Sequence, residues 1–278
     1  MKASAPGSSG NLGPGFDVLG LAVDLRCGVG AVPAEQMTVD DGDGPIALSA
    51  GDMLFDTVMV AVNRPMALTV NNAIPRARGL GSSSAVTTAA AAAAQRALGI
   101  EPVRNEIYEI ITAIEGHGDN AAPAVWGGLM AVGSNGPHPL GMNEHLIPVV
   151  GIPDTPLSTK EAREVVPKDV PLQAAARNVS RAVLLVEALR TGNPEAFAAA
   201  EGDEFHEGAR APLSPITMAM IQAARRAGAL HAAWSGAGPT TLALVTEETK
   251  ESVIDGLSGV LGEAGVVRVL AVDYEGLR

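Results

Sequence analysis

The stretch Pro75–Ala94, PRARGLGSSSAVTTAAAAAA, decides how this chain reads. Alanine is the strongest helix former, so a helix is predicted over Ser84–Leu98, closed by Gly99. Propensity leaves the two glycines and three serines at its entrance unexplained. At a helix start the first backbone N–H groups lack partners and the dipole is positive, so an anion is held there without a basic side chain. Gly79 and Gly81 permit close backbone approach and positive φ, while Ser82, Ser83 and Ser84 can cap the helix, donate to phosphate or ligate Mg²⁺. A single serine would read as an ordinary N-cap after a glycine turn. Three after GLG favour a phosphate site.

Composition narrows the partners. The 278 residues suit one large domain or two smaller ones sharing an interface. A net charge of -12 argues against surfaces that neutralise nucleic-acid phosphates or anionic lipid, so a small-molecule partner fits better, with no nucleic acid and no membrane. Cys27 is the only cysteine, which excludes an internal disulfide framework and any cysteine-based zinc site; it reads as a small buried residue. The N-terminus MKASAPGSSGNLGPGFD lacks the apolar run of a signal peptide, and no window approaches a membrane span of about 20 residues. A cytoplasmic protein is expected.

The layout is α+β. Short apolar segments over 17–39 and at 66–75 read as strands, followed by the alanine-rich helix, a helix over 102–116 ending at Gly116, and a strand in WGGLMAVG. The loop-like stretch SNGPHPLGMNEH offers the boundary between two halves, 1–144 and 145–278. The second half opens with the strand LIPVVGIP, continues with helices near 158–166, 171–191, 194–208 and 214–227, and then strands in LHAAWSG and TTLALV. A helix over 247–264 and the strand VVRVLAVDY close it. Strands followed by helices, twice over, point to two packed subdomains more than to a regular βαβ sheet.

Three further clusters accompany the serine loop. EGHGDN at 115–120 packs Glu115, His117, Asp119 and Asn120 at a helix end; Glu115 could complete a Mg²⁺ shell with a loop serine, since Mg²⁺ takes its remaining oxygens from phosphate and water. NLGPGFD places Asn11 and Asp17 at either end of a glycine-rich turn. SGAGPTT at 235–241 lies between two apolar strands, where glycines mark close backbone approach. A Walker-type G-x-x-x-x-G-K-[ST], a dinucleotide G-x-G-x-x-G, a G-x-S-x-G elbow and an H-E-x-x-H are all missing. Trp126 and Trp234 read as core, and His138, His145 and His231 lack metal-like spacing.

In this order, NLGPGFDVLGLA, PRARGLGSSSA, EGHGDNAAPAVWGG and SGAGPTT resemble the GHMP kinase superfamily, and LSTKEAREVVP, RNVSRAVLLVEAL and RAPL bring the likeness to its homoserine kinase branch. The resemblance covers nearly the whole chain. It implies an N-terminal ribosomal-S5-like α/β part, a C-terminal ferredoxin-like part, and transfer of the ATP γ-phosphoryl to the side-chain hydroxyl of L-homoserine, a step toward threonine. By the same resemblance Arg78, Gly79, Leu80, Gly81, Ser82, Ser83 and Ser84 wrap the ATP phosphates, with Ser83 and Glu115 as Mg²⁺ ligands. Asn11, Asp17, His117, Asn120 and Arg210 match homoserine-binding positions, Asp17 facing the ammonium and Arg210 the carboxylate. Thr159 and Arg163 match further active-site positions, Gly236, Ala237 and Gly238 the floor of the site, and a homodimer is implied.

An amide is no general base, so Asn120, where several relatives in the superfamily carry aspartate, points to rate supplied by alignment through Asn120 and Asp17 and by charge stabilisation from Mg²⁺, Arg163 and the helix N-terminus, with Thr159 a further catalytic candidate. Departures from the family pattern touch three places. Gly118 stands where HPDN has proline, which is expected to loosen the loop aiming Asn120. The segment before MALTVNN, where the family places adenine, is short and assigns no adenine contacts. Ala209 replaces the usual aromatic before Arg210, leaving room in the pocket. Two alternatives therefore stand beside homoserine phosphorylation: another small hydroxy acceptor, or a silent sensor on the same fold.

Overall fold

The computed structural model describes residues 1–278. The first half runs β1 (Lys2–Gly10), β2 (Leu19–Pro33), β3 (Thr38–Asp40), β4 (Ile46–Ala47), α1 (Met53–Val62), β5 (Met66–Asn72), α2 (Ser82–Ala97), α3 (Arg104–Glu115), α4 (Ala121–Trp126), β6 (Leu129–Gly133) and β7 (Gly136–Leu140). The second runs β8 (Ile147–Pro153), α5 (Thr159–Glu164), α6 (Leu172–Thr191), α7 (Pro194–Ala199), α8 (Glu207–Arg210), α9 (Pro215–Arg226), β9 (His231–Trp234), β10 (Thr241–Val245), α10 (Lys250–Leu261) and β11 (Gly265–Val269). The expected α+β organisation is present as two sheets. One has seven strands in the order β4-β3-β5-β2-β6-β7 with β1 also on β2; the other has four, β11-β8-β10-β9. No helix is long and apolar enough to cross a membrane.

The alanine run has a packing cause. Ala89 to Ala94 are all fully buried, because α2 is enclosed by β1, β2, α1, α3 and α4. A helix buried all round must be apolar on every face, and side chains this small let the surrounding elements approach closely. Successive residues of β8 show the second device, strand alternation: Val150 joins the large core that includes α2, and Val149 joins the smaller core under α9 and α10. The last residues return to the first sheet, where the backbones of Ser4 and Arg278 bond each other and Asp273 pairs with Arg26.

Several elements depart from the sequence expectation. β1 was not among the expected strands; from Ala5 onward both of its faces are buried, so it shows no alternation, and its register shifts between Pro6 and Gly7. The loop-like stretch forms β7, the edge partner of β6, and an edge is where a sheet accepts prolines such as Pro137 and Pro139. Helices α1 and α4 also stand where none was expected. The helix expected over 194–208 stops at Ala199; Gly202 takes φ 98°, and the Asp203 carboxylate accepts from the backbone N–H groups of Phe205, His206 and Glu207 to start α8.

Candidate active site

A cavity of about 270 Å³ lies where the two halves meet, and it collects residues from the serine loop, EGHGDN, NLGPGFD, SGAGPTT, LSTKEAREVVP and RAPL. Its floor is the entrance to α2. Gly81 is the N-cap at φ 65°, and Gly79 at φ 72° sits so close to the 235–238 turn that a Cβ would lie 2.1 Å from the Ser235 carbonyl oxygen. Only glycine meets both demands. Ser235 Oγ donates to the Gly79 carbonyl at 2.6 Å, the Gly236 N–H donates to Gly10 O at 2.9 Å, and the Thr240 N–H donates to Arg78 O at 3.3 Å. The SGAGPTT turn thus ties the phosphate loop to the N-terminal turn.

Along one wall, Ser84 Oγ donates to Glu115 Oε2 at 2.5 Å, while Glu115 Oε1 is buried without a partner. Burial raises the Glu115 pKa, opposed by the Ser84 bond, the His117 charge and the nearby Ser83 hydroxyl. Ser83 itself is exposed at the rim and donates to Met53 Sδ at 3.0 Å. Arg78 borders the cavity, but its guanidinium is committed to the backbone carbonyls of Arg76, Pro153 and Asp154.

Opposite stands a cluster of paired charges. Arg163 makes two bonds to the Asp17 carboxylate, at 2.7 and 3.1 Å. Asn11, Leu12 and Asp17 all have left-handed backbones, at φ 69°, 52° and 57°. Such residues cost about 1–2 kcal/mol each and persist where surroundings hold them. Here Asn11 holds the turn: its Oδ1 accepts from the Asp17 N–H at 3.0 Å and its Nδ2 donates to Gly236 O at 2.9 Å. Arg210 is buried, donating to Ala162 O, Gly236 O and His206 Nδ1. Burial and the Arg163 charge lower its pKa to about 10, and burial takes His206 to about 4, so His206 is neutral and its Nε2–H donates to Gly13 O. The aromatic beside Arg210 is Phe16, which stacks on His206 and lies 5.5 Å below the guanidinium.

Between these walls stands HGDN. His117 Nδ1 is 2.8 Å from Asp119 Oδ1, and Asn120 Nδ2 donates to Asp119 Oδ2 at 3.3 Å. Burial works to lower the His117 pKa, but the Asp119 bond and charge outweigh it and the pKa is raised. At Gly118 a Cβ would lie 2.3 Å from the Tyr108 hydroxyl and 3.2 Å from Val132 Cγ1, so Tyr108 fills the space a larger residue would need. The loop expected to be loose is therefore wedged by a ring that packs on Trp126. Gly118→Pro is expected to destabilise the fold by about 1–3 kcal/mol through overpacking, with part recovered by adding Tyr108→Phe. Urea midpoints test this; a Gly118→Pro protein as stable as the parent would show that Tyr108 yields freely.

Apart from Gly238, whose N–H donates to Ser235 O outside the cavity lining, the residues singled out for this site border the cavity or bond one that does, and Thr159 stands exposed on its rim at the start of α5. Sequence reasoning gave no role to Ser8, Asp119, Lys160, His206 or Ser235. Asp119, Lys160 and Ser235 were visible inside HGDN, LSTKEAREVVP and SGAGPTT; Ser8 and His206 carry no local signal, because they meet Asn120 and Gly13 from distant segments.

Comparison with known proteins gives the family and the fold. The family models for the GHMP kinases N terminal domain and the GHMP kinases C terminal match residues 48–128 and 185–261. The homoserine kinase of Thermus thermophilus is 37% identical over 276 residues, covering 96% of this chain and 94% of that protein. That of Streptomyces coelicolor is 36% identical, covering 99% and 93%. The crystal structure of homoserine kinase from Cytophaga hutchinsonii superposes with a TM-score of 0.88 at 24% identity, covering 100% and 96%, and the Methanococcus jannaschii mevalonate kinase shares the fold at 0.75 and 15%, covering 98% of each chain. The chain belongs to the GHMP kinases, within their homoserine kinase family.

Proposed function

We propose that this chain transfers the γ-phosphoryl group of ATP to the side-chain hydroxyl of L-homoserine, giving O-phospho-L-homoserine in threonine biosynthesis. One observation carries the reading: a single cavity joins a helix entrance open to phosphate with paired opposite charges suited to an amino-acid zwitterion. The backbone from Arg78 to Ser84 cradles the ATP phosphates, and Met53, Pro75 and Ala77 offer the apolar side of that end. Asp17 receives the substrate ammonium, Arg210 its carboxylate, and Asn11 and Gly236 hold the turn between them. Arg163 and Thr159 face the phosphoryl being transferred, with His117 beside the substrate.

Mg²⁺ fits the residues present. The buried Oε1 of Glu115 has no hydrogen-bond partner, so a bound cation would both satisfy it and favour the ionised carboxylate that burial disfavours; Ser84 holds the carboxylate in place, and the Ser83 hydroxyl lies near it. When bound, Mg²⁺ neutralises charge on the phosphate oxygens. The homoserine oxygen attacks the γ-phosphorus, the bond to the bridging oxygen breaks, and ADP leaves with the electron pair; the hydroxyl proton passes to the transferred phosphoryl or to water. Asn120 orients the hydroxyl and accepts no proton. Homodimer formation belongs to the same reading, and the exposed Leu172, Val179 and Val183 on α6 support it.

ADP release by the purified protein with Mg-ATP tests the function, comparing L-homoserine with L-threonine, L-serine, mevalonate and no acceptor. Homoserine is expected to raise release well above all others. A larger response to another hydroxy compound would move the acceptor, and ATP binding with no acceptor response would leave a silent sensor.

A further inference from the structure

Ser8 lies fully buried in β1 and touches both halves of the site. Its backbone N–H donates to Leu80 O, inside the phosphate loop, at 3.0 Å. Its hydroxyl lies 2.9 Å from Asn120 Oδ1. The surroundings leave these groups little freedom, since a Cβ on Gly81 would lie 2.2 Å from Ser8 Oγ and one on Gly10 would lie 2.3 Å from Asp119 Oδ2.

Hydrogen-bond chemistry settles the direction. An ionised carboxylate only accepts, so the end of the Asn120 amide facing Asp119 Oδ2 is its NH₂. Oδ1 then faces Ser8, and the hydroxyl donates to it. One Nδ2 proton is taken by Asp119; the other is available to the cavity that Asn120 borders. Asn120 therefore meets an acceptor hydroxyl as a donor to one lone pair of its oxygen, leaving the other free to approach phosphorus.

We propose that Ser8 is a positioning residue for phosphoryl transfer: it fixes which end of the Asn120 amide faces the acceptor and how far that amide stands from the phosphate loop. The proposal rests on Asn120 orienting the acceptor, as argued above. Loss of a group that orients a reacting-site residue typically costs about 10–100-fold, and a small misplacement is felt in the chemical step more than in binding. Ser9 supplies the control. It is the next residue in the same strand and equally buried, but its hydroxyl has no partner.

The experiment is steady-state kinetics on the full chain with Mg-ATP and homoserine, for Ser8→Ala, Ser9→Ala, Asn120→Ala and the double variant Ser8→Ala/Asn120→Ala. Ser8→Ala is expected to lower kcat about 10–30-fold with both KM values within about threefold, Ser9→Ala to match the parent, and Ser8→Ala to add less than about twofold once Asn120 is gone. Ser8→Cys, a weaker donor of similar size, should fall between and covers poor folding of Ser8→Ala. An impaired Asn120→Ala to which Ser8→Ala adds its full factor would overturn the proposal, as would a Ser8→Ala that raises KM alone. An Asn120→Ala protein with normal kcat would instead overturn the role given to Asn120, and the proposal with it.

Discussion

Gly79→Ala should reduce turnover by about 10²–10³-fold while the protein remains folded. Two terms act at that position. An alanine at φ 72° sits in the left-handed region, at a cost of about 1–2 kcal/mol. The new Cβ also meets backbone, 2.1 Å from Ser235 O and 2.7 Å from Gly238 N, and backbone cannot swing aside as a flexible side chain can. Relief requires the phosphate loop to move away from the 235–238 turn, which breaks the Ser235 bond to Gly79 O and withdraws the amides that would face phosphate. Gly99→Ala separates the terms: it has φ 75° but nothing within 4 Å, so it should cost stability alone and leave turnover intact. Kinetics and thermal midpoints on both variants check this. Equal turnover for Gly79→Ala and the parent would mean that the close approach to the 235–238 turn does not position the phosphate loop.

That pair also shows what was legible in the sequence and what was not. The door of α2 could be read because glycine conformations and serine caps are local, set within a few residues. HGDN was legible as a cluster for the same reason. The pairing of its parts was not: Asn120 meets Ser8 across 112 positions, and Arg163 meets Asp17 across 146. β1 escaped notice because a strand buried on both faces has no period of two, and its serines and glycines imitate a turn. β7 escaped because prolines argue against a strand until an edge position is known. Gly118 could be seen as a departure from the family pattern, but only packing showed that Tyr108 stands in the vacant space.

The pairing of Arg163 with Asp17 leads to the second large effect: Arg163→Ala should lower turnover about 10²-fold, the usual consequence of losing one charge-stabilising donor. The two side chains neutralise each other in a bidentate bond, about a third exposed on each side, so neither charge is buried alone. On the function proposed above, the ammonium of a zwitterionic substrate would compete for Asp17 and leave the guanidinium free to face the transferring phosphoryl. Arg163→Lys should recover little, because an ammonium offers no planar fork for a carboxylate or a phosphoryl group. Asp17→Asn should behave differently, raising KM for homoserine more than it lowers kcat, since it removes an ammonium contact and leaves Arg163 free. Initial-rate kinetics over both substrates separate these cases. If Arg163→Ala kept near-normal kcat and changed only KM for homoserine, Arg163 would be a holder of Asp17 and would have no part in stabilising the phosphoryl group.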